Sequence, residues 1–187
     1  MLISFSGAQS TGKTTLLNYL AERNPNIKFV PEVTRLIKRE YNLPINEDGN
    51  VLTQMLIMAE HVRNAFHTDN KTVDTILDRC SMDGLIYTHW LCDQGLDMVT
   101  YSFARIIYEQ TISKYDVIFY TSPDDVKLVD DGERSVNVKF REEIISLFEK
   151  HLNDNLLPNV VVLRGSVEER LHTIKETLFE KGIDIKI

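Results

Sequence analysis

The sequence predicts an α/β fold: a five-stranded, mainly parallel sheet with helices on both faces. Three observations predict it. Short apolar runs alternate along the chain with longer stretches whose apolar residues recur at helical spacing. The short runs are largely continuous rather than alternating, as strands covered on both faces require. The first run, Leu2-Ile3-Ser4-Phe5, leads through Ser-Gly-Ala-Gln-Ser-Thr-Gly-Lys-Thr (Ser6 to Thr14) straight into a helical pattern containing Leu16, Leu17, Leu20 and Ala21. Within that loop Gly7, Gly12, Lys13 and Thr14 complete G-x-x-x-x-G-K-[ST] in its strand–loop–helix frame, the phosphate-binding P-loop of NTPases.

The remaining elements follow in order. Ile27 to Val30 is a short strand ending at Pro31-Glu32, and Val33 to Tyr41 a short helix. Asn42 to Gly49, with Pro44, Asp48 and Gly49, is a loop. From Val51 to Phe66 the residues Leu52, Met55, Leu56, Met58, Ala59, Val62, Ala65 and Phe66 mark a helix. Val73 to Leu77 is a strand ending at Asp78-Arg79, followed by helices over 82–91 and 98–113. Asp116 to Tyr120 is the fourth strand. Pro123 to Val138 is polar and charged, and reads as a loop or lid. Lys139 to Leu152 is amphipathic, with Phe140, Ile144, Leu147 and Phe148 on one face. Asn159 to Leu163 is the fifth strand. Ser166 with Glu169 spells a capping box for a last helix that Gly182 ends.

A chain of 187 residues suits one domain, here a P-loop domain over 1–187 with its lid at about 123–138. Its net charge of −7 argues against extensive contact with a nucleic-acid backbone. Cys80 and Cys92 form neither a metal-ligand pattern nor a disulfide framework, and the five histidines have no ligand spacing. No targeting segment or membrane span is read, so a cytoplasmic protein is expected.

In parallel sheets ligands sit at the carboxyl ends of the strands, so the polar residues there carry the functional reading. The loop Gly7, Ala8, Gln9, Ser10, Thr11, Gly12, Lys13, Thr14 and Thr15 is expected to wrap a polyphosphate with main-chain N–H groups. Lys13 would reach the β/γ-phosphates and the Thr14 hydroxyl would ligate Mg²⁺. Glu32, after the second strand, is placed to accept a proton from an attacking hydroxyl or to bind Mg²⁺ through water. Arg35, one turn on, is placed to hold the acceptor or its phosphate. Asp78 stands where a Walker-B-like acid meets Mg²⁺, with Arg79 beside it for phosphate and Asp83 close behind. Arg134 and Arg141 flank a lid that would close over a transferring phosphoryl group. Arg170 is a candidate for the adenine or a phosphate, or else a plain surface arginine. On the 51–66 helix, Gln54 is a candidate for a base edge and Arg63 for an acceptor phosphate.

These motifs together resemble a known family. The P-loop, the Pro-Glu-Val-Thr-Arg after strand two, the Asp-Arg-Cys after strand three, the Asp-Asp-Gly-x-Arg of the lid and the Leu-Arg-Gly-Ser-x-x-Glu-Arg near the end are similar to the compact NadR-type nicotinamide riboside kinases. These are often labelled AAA-like ATPases and are common in phages. The resemblance runs over about Met1 to Lys181; more distantly the chain resembles deoxynucleoside and nucleoside monophosphate kinases. It implies an ATP- and Mg²⁺-dependent phosphotransferase with Glu32 as base and with Asp78 and Arg79 near metal and phosphates. Lys13 and Arg134 would stabilise charge. Cys80 departs from those kinases, which often have Ser or Tyr there. The acceptor would be a nucleoside such as nicotinamide riboside or, alternatively, a deoxynucleoside monophosphate held by Arg35, Arg39, Arg63 and Arg79. A nucleotide switch acting on a protein partner is the rival class, and a kinase of polynucleotide ends a third. The apolar helices suit a dimer face as readily as a buried core.

Overall fold

The computed structural model describes residues 1–66, 73–123 and 137–187. The lid reading at about 123–138 therefore lies almost wholly outside the described residues, and Arg134 entirely so. The five expected strands form one sheet: β1 (Leu2–Ser6), β2 (Lys28–Val30), β3 (Thr75–Asp78), β4 (Val117–Thr121) and β5 (Val160–Leu163). Their order across the sheet is β2-β3-β1-β4-β5, and every pairing is parallel.

The helices are α1 (Lys13–Arg23), α2 (Val33–Tyr41), α3 (Val51–Phe66), α4 (Ser81–Asp93), α5 (Met98–Thr111), α6 (Val138–Asp154) and α7 (Val167–Glu180). Two helix starts follow from capping chemistry. Ser166 and Glu169 close a reciprocal capping box on α7, so that helix begins where the sequence spelled it. Asp97 accepts from the Thr100 N–H and fixes the start of α5. The third strand sits later than its apolar run suggested. Val73 is exposed, whereas Thr75 pairs with both Leu2 and Lys28, so cross-strand pairing sets the start.

Period-two alternation splits the core between the two faces of the sheet. Ile3, Phe5, Ile76, Val117 and Phe119 pack with Leu16, Leu20, Ile174 and Leu178 of α1 and α7. Leu2, Leu77, Ile118 and Tyr120 face the layer built from α3 to α6. Among the described residues no helix is long and apolar enough to cross a membrane.

This topology places the strand-end residues in a row. Phe5 is in register with Asp78 and Val30 with Leu77, so Glu32, Asp78 and the loop after β1 emerge side by side from β2, β3 and β1.

Candidate active site

The loop between β1 and α1 is shaped by two backbone requirements. Gly7 has φ 133°, and a Cβ there would lie 2.9 Å from both the carbonyl oxygen and the hydroxyl of Thr121 on β4. Gly12, the residue before α1, has φ 89° in the left-handed region. Only glycine meets the first demand without moving β4. The loop is buried: Ala8, Gln9, Ser10, Thr11 and Lys13 are all below a tenth exposed, while Thr14 and Thr15 open outward from the first turn of α1.

Lys13 lies folded along this loop. Its Nζ donates to the Gly7 carbonyl at 2.9 Å, the Ala8 carbonyl at 2.6 Å and the Thr11 hydroxyl at 3.3 Å. Burial first, and the nearby Arg79 charge second, pull its pKa down to about 7.

Arg79 follows β3 with φ 77°, a left-handed conformation that costs a non-glycine residue on the order of 1 kcal/mol. It is held there on all sides. Its N–H donates to the Phe5 carbonyl at 2.8 Å. Nε donates to Glu32 Oε1 at 2.7 Å, and one terminal nitrogen to the Gly7 carbonyl at 2.9 Å and to Asp83 Oδ1 at 3.0 Å. Its guanidinium is thus committed to the protein rather than turned toward an outside phosphate. Burial acts against its charge, but Glu32 foremost outweighs that and holds its pKa well above the ordinary value.

Asp83 binds the same assembly from α4. Its Oδ1 accepts from the Gly7 N–H at 3.1 Å, and its Oδ2 from the Cys80 N–H at 3.1 Å, the second being half of the α4 capping box. Cys80 is a buried helix cap in contact with Asp83.

Glu32 is 11 % exposed and pairs with Arg79 and, at 3.4 Å, with Arg35. Burial pushes its carboxyl up, but Arg79, Lys13 and Arg35 together outweigh that and hold it down at about 2. Asp78 behaves oppositely. Burial and the neighbouring Glu32 push it up to about 6, and its Oδ1 is buried with no hydrogen-bond partner among the described residues. Asp78, Glu32 and Thr14 line one groove of about 260 Å³. A divalent cation fits this donor set: an unpartnered carboxylate oxygen beside a hydroxyl, with room for water and phosphate oxygens. No group of three or more His, Cys, Asp or Glu able to cage a metal occurs among the described residues.

Beyond Glu32 and Arg79 lies a cleft walled by α3 and α4. Gln54 and His61, seven residues apart on one face of α3, meet Gly84 and Tyr87 of α4 there, and Asn46 also lines it. Its volume is only about 20 Å³, so a ligand larger than one water requires the walls to part. Gly84 admits the α3 side chains: a Cβ there would collide with Met58 Sδ. Gln54 Oε1 lies 3.0 Å from the Thr88 hydroxyl. His61 is buried, its Nδ1 has no partner among the described residues, and burial lowers its pKa to about 4, so the ring is neutral.

Arg63 is on the outer side of α3, paired with Glu60, and with Arg35, Lys38 and Arg39 it lines a separate groove of about 810 Å³. Arg170 is buried, and its donors lie on the carbonyls of Thr11, Ser122 and Gly165. His61, Tyr87 and Asn46 had no role in the sequence reading. The one signal for them was spacing: His61 sits two turns from Gln54, and Tyr87 one turn from Asp83.

Comparison with known proteins bears on the family and the fold. A family model described as AAA domain matches residues 2–170. The chain belongs to that family. Among solved structures it is similar to a NadR protein in complex with NR, with a TM-score of 0.73 and 22 % identity over 100 % of this chain. A NadR protein in complex with NAD and AMP-PNP aligns with a TM-score of 0.70 and 21 % identity. The chain spans about half of those chains, 53 % and 51 %. No protein of curated function gives a significant match. The five-stranded parallel sheet is thus that of the NadR-like P-loop proteins.

Proposed function

We propose that this AAA-family domain is an ATP- and Mg²⁺-dependent kinase that transfers the γ-phosphoryl group to a hydroxyl of a small nucleoside-like acceptor, with a nicotinamide riboside-like nucleoside favoured. One observation carries the reading. A buried P-loop, an unpartnered metal-ready carboxylate and a second polar cleft meet at three adjacent strand ends. A bare nucleotide switch has no use for the second cleft.

In this reading Lys13 turns from the loop carbonyls onto the β/γ-phosphates, where the anion restores its charge. Thr14 and Asp78 would hold Mg²⁺, whose charge would offset that of the phosphates. Glu32 stays ionised and receives the hydroxyl of the acceptor. At about 2 it is a weak base, suited to orienting the nucleophile and taking its proton late. Arg134, outside the described residues, is assigned to closure over the phosphoryl group. The cleft groups fit a nucleoside: His61 is neutral, Gln54 is an amide, and the Arg79 charge is already matched by Glu32 and Asp83. The similarity to a NadR protein in complex with NR supports the same class.

A second reading rests on the groove lined by Arg35, Lys38, Arg39 and Arg63, which would suit a phosphate-bearing acceptor such as a deoxynucleoside monophosphate. Incubating the protein with ATP, Mg²⁺ and a panel of nucleosides and nucleoside monophosphates, and resolving the products by mass, separates the two. Acceptor-independent release of phosphate alone would sink both.

A further inference from the structure

The P-loop carbonyls are as fully engaged as its N–H groups are meant to be. Reading along the loop, the Gly7 carbonyl accepts from Arg79 at 2.9 Å. The Ala8 carbonyl accepts from the Thr11 hydroxyl at 3.0 Å. The Gln9 and Ser10 carbonyls both accept from the fork of Arg141, at 3.2 and 3.3 Å. The Thr11 carbonyl accepts from Arg170 at 2.6 Å. Three guanidiniums from three separate places, the β3–α4 junction, the first turn of α6 and the first turn of α7, thus grip the carbonyls of one loop.

We infer that Arg79, Arg141 and Arg170 are positioning residues for the polyphosphate, acting through the loop backbone and not by contact with phosphate. The inference rests on the nucleotide-binding part of the proposed function and not on its acceptor. A peptide unit whose carbonyl is pinned outward presents its N–H inward, so pinning consecutive carbonyls fixes a concave row of donors before any anion arrives. A guanidinium on four of the five carbonyls, Gly7, Gln9, Ser10 and Thr11, also polarises the amides, strengthening their N–H groups as donors and adding positive potential to a protein of net charge −7.

The arrangement also frees Lys13. Both carbonyls that Lys13 holds have a second donor, Arg79 on Gly7 and the Thr11 hydroxyl on Ala8. The ammonium can therefore leave for a phosphate without orphaning a buried carbonyl, which would otherwise oppose the move. Arg170 adds a brace, because its other nitrogens hold the Gly165 and Ser122 carbonyls and tie the loop to the ends of β4 and β5.

The test uses Arg141→Met and Arg170→Lys in the full chain, with calorimetric titration of ATP, inorganic tripolyphosphate and adenosine, beside unfolding temperatures. Arg141 is only partly buried and its variant is expected to fold; it decides the matter if Arg170→Lys does not. The expected result is a loss of about tenfold in affinity for ATP and tripolyphosphate, the size of one charge-assisted hydrogen bond, with adenosine binding unchanged. Arg141→Lys should recover part of the loss, since an ammonium reaches one carbonyl but lacks the fork. Wild-type affinity for tripolyphosphate in a folded Arg141→Met overturns the inference. So does an equal loss for adenosine, which would mean general loosening. Failure of the wild-type protein to bind tripolyphosphate overturns the inference and the nucleotide-binding reading together. Tight binding with no acceptor phosphorylated counts against the kinase reading alone.

Discussion

The P-loop and the cleft beside it are both buried and polar, yet their polar groups are satisfied in opposite ways. Around the loop every carbonyl from Gly7 to Thr11 has a protein donor. Beside it, Asp78 Oδ1 at the Thr14 groove and His61 Nδ1 at the cleft are buried with no partner among the described residues. Native proteins pair nearly all such atoms, so the contrast is informative. The loop backbone is held on its carbonyl side by the protein itself. The groove and the cleft each carry a group, Asp78 and His61, that a cation and an acceptor would complete. Tyr87 joins the two regions: its hydroxyl donates to Gln9 of the loop at 2.9 Å while its ring lines the cleft beside Arg79.

Substitutions on each side should break the contrast in different ways. The largest effect is expected for Lys13→Ala, a fall of about 10³-fold in kcat for phosphoryl transfer. Its unfolding temperature should hold or rise, because burial already disfavours the ammonium. Activity close to wild type would remove the cradle from the chemistry.

Asp78→Asn comes next, with a loss of about 10²-fold in Mg²⁺-supported turnover. The bare protein should be no less stable, since the amide replaces a carboxylate that burial and Glu32 both disfavour. Titrating Mg²⁺ against rate checks this, and an unchanged Mg²⁺ response would place the metal elsewhere.

Arg35→Gln sharpens the choice of acceptor. A monophosphate acceptor should lose about tenfold in kcat/KM, whereas a nucleoside should change little.

The smallest effect is the pH dependence of His61→Gln. Burial lowers the folded pKa of His61 from 6.5 to about 4. The unfolded chain therefore binds more protons in that window, and wild-type stability attributable to His61 is present above about 6.5 and lost as pH falls toward 4. Asp78, raised from 3.8 to about 6, acts in the opposite sense over much of that range. The quantity to read is thus the difference between wild-type and His61→Gln melting curves from pH 7 to 4.5. The wild type should lose more on acidification; parallel curves would mean that the His61 ring is not buried neutral.

Much of the fold was legible in the residues. The strand–loop–helix frame, the α3 boundaries at Val51 and Phe66 and the Ser166 capping box depend on local pattern and local hydrogen bonds, which a linear sequence contains. The strand ends at Glu32 and Asp78 were legible for the same reason, as polar residues that stop apolar runs. Legibility ended where partners are distant. Arg79 looked like a phosphate ligand because it follows an acid at a strand end. Its engagement with Glu32 and Gly7 depends on strand order, which places β2, β3 and β1 side by side. His61 was one of five histidines with no ligand spacing until α3 was laid against Gly84.

The sequence by itself determined that a P-loop motif joins the first strand of a parallel α/β sheet to its first helix, because glycine spacing, apolar runs and caps act over a few residues. The tertiary structure alone decided which cations hold that loop. Arg141 and Arg170 stand 132 and 159 positions from the carbonyls they grip, and only the packing of α6 and α7 onto the sheet closes those distances.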